Sequence, residues 1–514
     1  MHHIMNWLVP SAKVTREQPG VTPRPAKKGV NDVPGPLSFP IFGASWIYSR
    51  FGPYENKKFH KSNEHKLKKY GPVVREGVTF NYPLIHLFDK DDIDKVLRYP
   101  SEYPLRPPNM ADAYYRRYRR EFYLNDGIVN LNGPEWHRLR MQLTPPLTNR
   151  NTPKRYATHM NVIADDFKKL VASRADANGG VVQDFKELVY LAGLETVSDV
   201  ALEKRMGFLD EKMSDDTKLI LESIRGYQTS SNESMYGLPW YQLVPKCFSG
   251  VFTNLVKHKD NLFVTIGKVV DETLEANRMA QDLGFEDDDE EDQSILNLLL
   301  RNEDVHIKDV KASVVDYITA GVETIGNSII FAMALIAKYP DVQKKLQEEL
   351  DHFVPNGGDL TIENIQEMRY LRACVQESFR MVPTACQIAR ILEEETEVSG
   401  NIVLPKGHVV LCHTMVASLQ EENFTRAKEF LPERWLDNDP ETARKFPKCE
   451  RGLVVPFGVG KRACPGKRLA EQEVYIMVGK LFQEFDVELE DKFSTEFNFL
   501  LAPSEMRIKV TPRR

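Results

Sequence analysis

The spacing of apolar and polar positions changes along this 514-residue chain. From Val73 to Phe88 short apolar runs, with Val73, Val74, Leu84, Ile85 and Leu87, read as strand. After Leu131 helical spacing dominates. From about Ile307 to Lys338 the helical pattern runs without a proline until Pro340 closes it. At 1.5 Å per residue such a helix spans roughly 48 Å, long enough to cross a large domain. Asp341 is then placed to cap a polar helix running through Val354. Strand character returns from Val398 to Cys412, around a turn at Leu404-Pro405-Lys406-Gly407, and again near Phe497 to Val510. No internal repeat is present. Length alone suggests two or more domains, but this order of elements suits one large, mainly α domain with a small β lobe.

Ahead of that body, Val33-Pro34-Gly35-Pro36 predicts a stiff extended stretch. The first 30 residues carry Lys13, Arg16, Arg24, Lys27 and Lys28 against one acid, Glu17. A basic, acid-poor leader of this kind reads as an organelle transit segment, with 31–514 as the folded domain. The apolar run Ser328 to Ala337 is too short to span a membrane, and no run of 18 apolar residues occurs, so no transmembrane helix is expected. A net charge of −6 argues against nucleic acid as a partner. The acids Glu286 to Asp292 repel one another and predict a solvated surface loop.

The six cysteines, Cys247, Cys374, Cys386, Cys412, Cys449 and Cys464, form no CxxC pair, and His408 with Cys412 lacks a second ligand pair. Neither a disulfide framework nor a zinc site follows. Cys464 is distinguished by its surroundings. In Phe457-Gly458-Val459-Gly460-Lys461-Arg462-Ala463-Cys464-Pro465-Gly466 five positions fit F-x-x-G-x-R-x-C-x-G: Phe457, Gly460, Arg462, Cys464 and Gly466. Average residue usage would produce that match in on the order of one chain in ten thousand of this length. A thiolate that ligates haem iron must be shielded and held by backbone N–H groups, which needs a tight turn. Gly460 and Gly466 permit the turn and close approach to a flat macrocycle. Phe457 can pack beside the sulfur, and Arg462 suits a bidentate pairing with a propionate. Gly458 to Ala463 also matches the dinucleotide fingerprint G-x-G-x-x-[GA]. Pro456 ends the preceding strand, however, and the roughly fifty residues that follow are too few for a doubly wound fold.

This loop resembles that of the cytochrome P-450 superfamily, and further motifs follow the same order along the chain. The resemblance implies heme b as cofactor, with Cys464 as axial ligand. Glu377 and Arg380 form E-x-x-R, and Phe430-Leu431-Pro432-Glu433-Arg434-Trp435 supplies Arg434 to close a Glu377–Arg380–Arg434 network that serves folding. In Ala320-Gly321-Val322-Glu323-Thr324, the resemblance implies that Gly321 lets dioxygen and haem approach the backbone. Thr324 and Glu323 relay protons in the same picture. The family's common pattern continues with a second hydroxyl, whereas Ile325 stands here, leaving Thr324 as the only hydroxyl of the relay. Trp136 and Arg140, spaced i, i+4, and Arg390 are implied as propionate ligands, while His137 reads as a surface residue.

The chain carries no flavin or nicotinamide site of its own, so electrons come from a partner. The cations Lys467 and Arg468, with Arg372, resemble the ferredoxin-docking patch of the mitochondrial branch. Gln376 departs from the lysine or arginine common there. That branch implies a mitochondrial ferredoxin with an NADPH-dependent reductase, and a peripheral place on the matrix face of the inner membrane. Segments Arg205 to Leu209, Pro383 to Glu394, Val455 to Gly460 and Glu496 to Pro503 resemble the arthropod ecdysteroid 20-hydroxylases. They imply a steroid substrate, with ecdysone converted by dioxygen to 20-hydroxyecdysone. Other readings are another mitochondrial ecdysteroid or xenobiotic hydroxylase, a haem-thiolate isomerase or dehydratase, and a non-enzymatic haem protein.

Overall fold

A computed structural model describes residues 27–78, 81–234, 250–283, 294–436 and 444–513. Residues 1–26 of the leader, Cys247 and the acidic run Glu286 to Asp292 lie outside them. In chain order the principal elements are α1 (Phe59–Tyr70), β1 (Val73–Gly77), β2 (Pro83–Leu87), α2 (Lys90–Leu97), α3 (Met110–Tyr118), α4 (Gly133–Leu143), α5 (Thr152–Ala177), α6 (Phe185–Leu202), α7 (Asp215–Ser234) and α8 (Gly250–Asp282). They continue with α9 (Ile307–Lys338), α10 (Pro340–Phe353), α11 (Arg369–Met381), β3 (Ile388–Ile391), β4 (Val409–Cys412), α12 (Lys467–Glu484), β5 (Thr495–Asn498) and β6 (Leu500–Pro503).

The predicted long helix is α9, with the bounds expected from its pattern. Tyr339 turns the backbone to extended geometry ahead of Pro340, which takes the first position of α10, where its missing N–H costs nothing. Asp341 therefore sits inside the first turn and makes no capping bond, contrary to the expected cap. Helix α9 also bears on whether any segment could span a membrane. By length and composition α9 is long and apolar enough, but 72% of its most apolar window is buried inside the protein. It is the central core helix, packed against α6, α8, α11 and α12.

Helices begin earlier than the apolar pattern indicates. The buried residues of α1 are His60, Ser62, Asn63 and Lys66, so a polar face turns inward and hydrophobic spacing cannot reveal it. Lys66 donates to Glu76 and to Tyr48 (2.5 Å each), His86 Nε2 lies 3.4 Å from the same Glu76 oxygen, and His86 Nδ1 meets His413 Nε2 at 2.8 Å. This seam joins α1 to the β lobe. The lobe's main sheet has the order β1-β2-β4-β3, with only the β2/β4 pair parallel.

The Val33–Pro36 stretch lies along this sheet, with the Arg75 amide donating to the Pro34 carbonyl (2.9 Å). A Cβ on Gly35 would fall 1.8 Å from the Arg75 carbonyl oxygen, so only glycine allows the approach. Lys28, inside the expected leader, pairs with Ile402. On the helical side, a buried ion cluster fixes α3 to its neighbours. Arg116 binds Asp112 and Asp316, and Lys259 reaches Asp112 at 2.7 Å, which joins α3 to α8 and α9.

Candidate haem-thiolate site

The Cys464 loop is a tight turn that delivers the chain to α12. The Cys464 amide donates to the Phe457 carbonyl (2.8 Å) and the Gly458 amide to Val455 (2.9 Å). Two glycines take left-handed geometry, Gly458 at φ +71° and Gly460 at φ +68°. Gly458 had figured only in the dinucleotide match, so its role in the turn was missed. Gly466 is different from expectation: its φ of −80° is open to any residue. A Cβ there would lie 4.0 Å from the Cys464 sulfur, so glycine at 466 keeps the sulfur's flank clear.

Of the five cysteines among the described residues, only Cys464 is exposed. Its thiol still lies in a recess of protein atoms, and that desolvation raises its pKa; the Gly466 N–H and the Arg140 charge act the other way. The Phe457 ring meets Phe379 edge-on at 5.6 Å and lies under the Lys467 ammonium at 5.9 Å.

Beside the loop four arginines converge. Arg462 stacks 3.6 Å above the Trp136 ring, and donates to Pro104 O (2.7 Å), Leu131 O (2.9 Å) and Asn132 Oδ1 (2.7 Å). Its buried Nη1 has no partner. Arg140 donates to the Ala463 carbonyl (2.7 Å), Arg390 to Ala389 O (3.0 Å) and Arg106 to Val129 O. Among the described residues none of the four is paired with a carboxylate. Burial, followed by repulsion from its fellow arginines, lowers Arg462 to about 9 and Arg106 to about 10. Burial likewise lowers Arg140 and Arg390. Arg106 escaped the sequence reading, because a lone cation in Leu105-Arg106-Pro107-Pro108 has no periodicity to mark it.

Glu377 binds its partners without a gap. It accepts from Arg380 Nε and Nη2 (2.8 Å each), Arg434 Nε (2.9 Å), the Leu431 amide (3.0 Å) and Trp435 Nε1 (2.8 Å). Arg380 Nη1 donates to the carbonyls of Ser418 and Ala427, its Nη2 also reaches Glu429 O, and the remaining Arg434 nitrogens donate to Thr425 O and Arg426 O. Trp435 was not foreseen as a member of this network.

On α9, Thr324 Oγ1 donates back to Ala320 O (2.8 Å) and Gly321 O (3.2 Å). Burial raises Glu323 to about 7, opposed only by the Lys186 charge. Gly321 has a packing reason that the sequence did not suggest: a Cβ there would strike Val197 of α6 at 2.7 Å. At the surface, Lys467 lies 3.8 Å from Glu471, which also feels Arg372. Arg468 donates to Thr148 O (2.9 Å) and Arg372 to Gln366 O (2.9 Å), and all three cations are exposed.

An exposed thiol beside buried and half-buried arginines that lack anions fits a flat dianionic macrocycle with a metal at its centre. The partnerless Arg462 Nη1 and the stacked Trp136 fit the edge that bears its carboxylates. Comparison with known proteins agrees. The profile of the Cytochrome P-450 family matches residues 33–510. Ecdysone 20-monooxygenase of Drosophila melanogaster is 36% identical over 486 residues, covering 94% of this chain and 88% of that protein. The mitochondrial 1,25-dihydroxyvitamin D(3) 24-hydroxylase of Mus musculus is 27% identical, covering 95% and 90%. A probable cytochrome P-450 301a1, mitochondrial, of Drosophila melanogaster is 28% identical, covering 94% and 87%.

Proposed function

The chain belongs to the cytochrome P-450 family and is a haem-thiolate monooxygenase, and on that premise we propose that it hydroxylates a steroid, ecdysone at carbon 20, to give 20-hydroxyecdysone. The observation that carries the site assignment is the exposed Cys464, held by its turn next to four arginines without anions. Likeness to the fly ecdysone enzyme over most of both chains supports the substrate.

The bound haem supplies oxidation of a C–H bond by dioxygen and two electrons. The protein's own groups do the rest. Cys464 holds the iron, with Phe457 beside it and Gly466 leaving its flank open. Arg462, Arg390, Arg140 and Arg106 hold the propionates, with Trp136 stacked under Arg462. Thr324 holds a proton at its hydroxyl, and Glu323, half-protonated near neutral pH, replenishes it. Glu377, Arg380 and Arg434 keep the fold around the loop rigid. Lys467, Arg468 and Arg372 offer an acidic mitochondrial ferredoxin a complementary surface, and an NADPH-dependent reductase supplies that carrier. Because Lys28 is paired with Ile402 in the folded body, the transit segment lies ahead of Lys27, and the folded domain works as a peripheral protein on the matrix face of the inner membrane.

The test is turnover of ecdysone by the purified protein with a mitochondrial ferredoxin and its reductase, with products identified by mass spectrometry and NMR. A 20-hydroxy product supports the reading. Absence of product, with a normal thiolate spectrum of the ferrous–CO form, sinks the substrate and leaves the enzyme class standing.

A further inference from the structure

The turn of α9 that carries Thr324 is tied to two non-helical segments by a closed set of hydrogen bonds. Ser328 Oγ donates to the Thr324 carbonyl (2.7 Å) and lies 3.1 Å from Thr384 Oγ1. Thr384 Oγ1 also approaches the Thr324 carbonyl at 3.5 Å. Thr384 belongs to the connection between α11 and β3, and its carbonyl accepts the Leu501 amide of β6 (2.9 Å). The Leu501 carbonyl in turn accepts Asn327 Nδ2 (3.0 Å), and Asn327 Oδ1 accepts the Tyr190 hydroxyl of α6 (2.5 Å). The ring of contacts thus runs from α9 through Thr384 and β6 and back to α9. Thr384 and Asn327 are buried, and every group in the ring is neutral.

Two physical consequences follow. A hydroxyl that donates to the carbonyl four residues earlier competes with the helical N–H, and loosens the helix at that turn. At Thr324 a second hydroxyl approaches the same carbonyl from outside the helix, so the position of this turn depends on Thr384 as well as on α9 itself. The hydroxyls at 328 and 384 touch the backbone of Thr324 and not its side chain, so they act on the placement of this turn.

We propose that Thr384 and Ser328 are positioning residues, which hold the Thr324 turn in register with the α11–β3 connection and β6 and so keep proton delivery at Thr324 in place. The inference rests on the monooxygenase reading with Thr324 as relay. In the productive reaction substrate R–H, dioxygen, two electrons and two protons give R–OH and water. When proton delivery is misplaced, the same dioxygen, electrons and protons leave as hydrogen peroxide and R–H is unchanged.

Product and peroxide per electron consumed are measured for the haem-loaded protein and for Thr384→Val, Thr384→Ser, Ser328→Ala and Thr324→Ala, with hydrogen exchange of the 383–387 and 500–503 amides followed in each. Thr384→Val is expected to lower product per electron about fivefold, with a matching rise in peroxide and faster exchange of both segments. Thr384→Ser is expected to restore all three. Full coupling in Thr384→Val, while Thr324→Ala uncouples, overturns the positioning role and leaves the relay intact. Full coupling in Thr324→Ala overturns the relay itself, and the inference with it. If Thr384→Val does not fold, Ser328→Ala decides: unchanged coupling there overturns the proposal, and partial uncoupling supports it.

Discussion

Two groups of arginines adjoin the Cys464 loop, and they are built on opposite plans. Around Glu377, Arg380 and Arg434 spend their nitrogens on one carboxylate and on backbone carbonyls, and Glu377 accepts five donors. Around Trp136, Arg106, Arg140, Arg390 and Arg462 meet no carboxylate among the described residues, repel one another, and leave Arg462 Nη1 unpartnered. The first group is complete within the protein and adds rigidity. The second is complete only with an anion, which marks it as a place for a ligand. A buried charge therefore carries functional information through its unfilled valences, and burial alone does not separate scaffold from site.

Breaking the complete group gives the largest effect. Glu377→Ala strands two buried guanidiniums and is expected to cost on the order of 3–5 kcal/mol. Recovery of folded protein and its urea midpoint measure this. The next contrast is a buried carboxyl with no cation. Glu473 lies in the core of α12, with Thr196 as a hydrogen-bonding neighbour, Oε1 unpartnered and a pKa raised by burial to about 8. Its folded value exceeds the ordinary 4.5, so the folded state holds the proton more tightly. Stability should fall as pH rises from about 4.5 to 8, and stay low above that. Glu473→Gln should abolish this slope and stabilise the protein by a few kcal/mol at about pH 8.5, with thermal melts across pH as the readout.

Opening the incomplete group should do the reverse of Glu377→Ala. Arg106→Leu removes mutual repulsion, so the haem-free protein should gain about 1 kcal/mol while haem is lost on the order of tenfold faster to an acceptor protein. Equal destabilisation with and without haem would end the distinction between the two groups. The smallest effect is expected at the surface. Exposed charges contribute little each, so Lys467→Glu with Arg468→Glu should raise the KM for ferredoxin severalfold at low salt and hardly at all at high salt.

How much of this was legible in the sequence follows from how far apart the interacting residues lie. The Cys464 loop could be read because a metal ligand, its turn and its neighbouring cation fall within ten residues. Helix α9 could be read because its apolar spacing holds for 32 residues. The arginine group was read in part: Trp136, Arg140, Arg390 and Arg462 came through motifs, while Arg106 reaches the group only through the tertiary fold. Gly321 was given a reason in the haem pocket, yet its nearest obstacle is Val197, 124 positions earlier and invisible to local pattern. The same holds for α1, whose buried face is polar, and for Thr384, whose partner Ser328 lies 56 positions away.

The polar seam of the β lobe has a consequence for assembly. Glu76 and His86 share one face of the β1/β2 pair, where Val74 stands opposite His86 and Glu76 opposite Leu84. His413 follows β4 immediately, in line with Leu411, the partner of His86. A slip of one residue between strands would turn one of these side chains to the opposite face and leave Lys66 buried without its counter-charge. The apolar positions of these strands alone, such as Leu84, Ile85 and Val410, would tolerate misalignment, because one aliphatic contact resembles another. The seam works as a check on alignment: only the native register closes it, and a wrongly paired sheet is left with an ammonium it cannot neutralise.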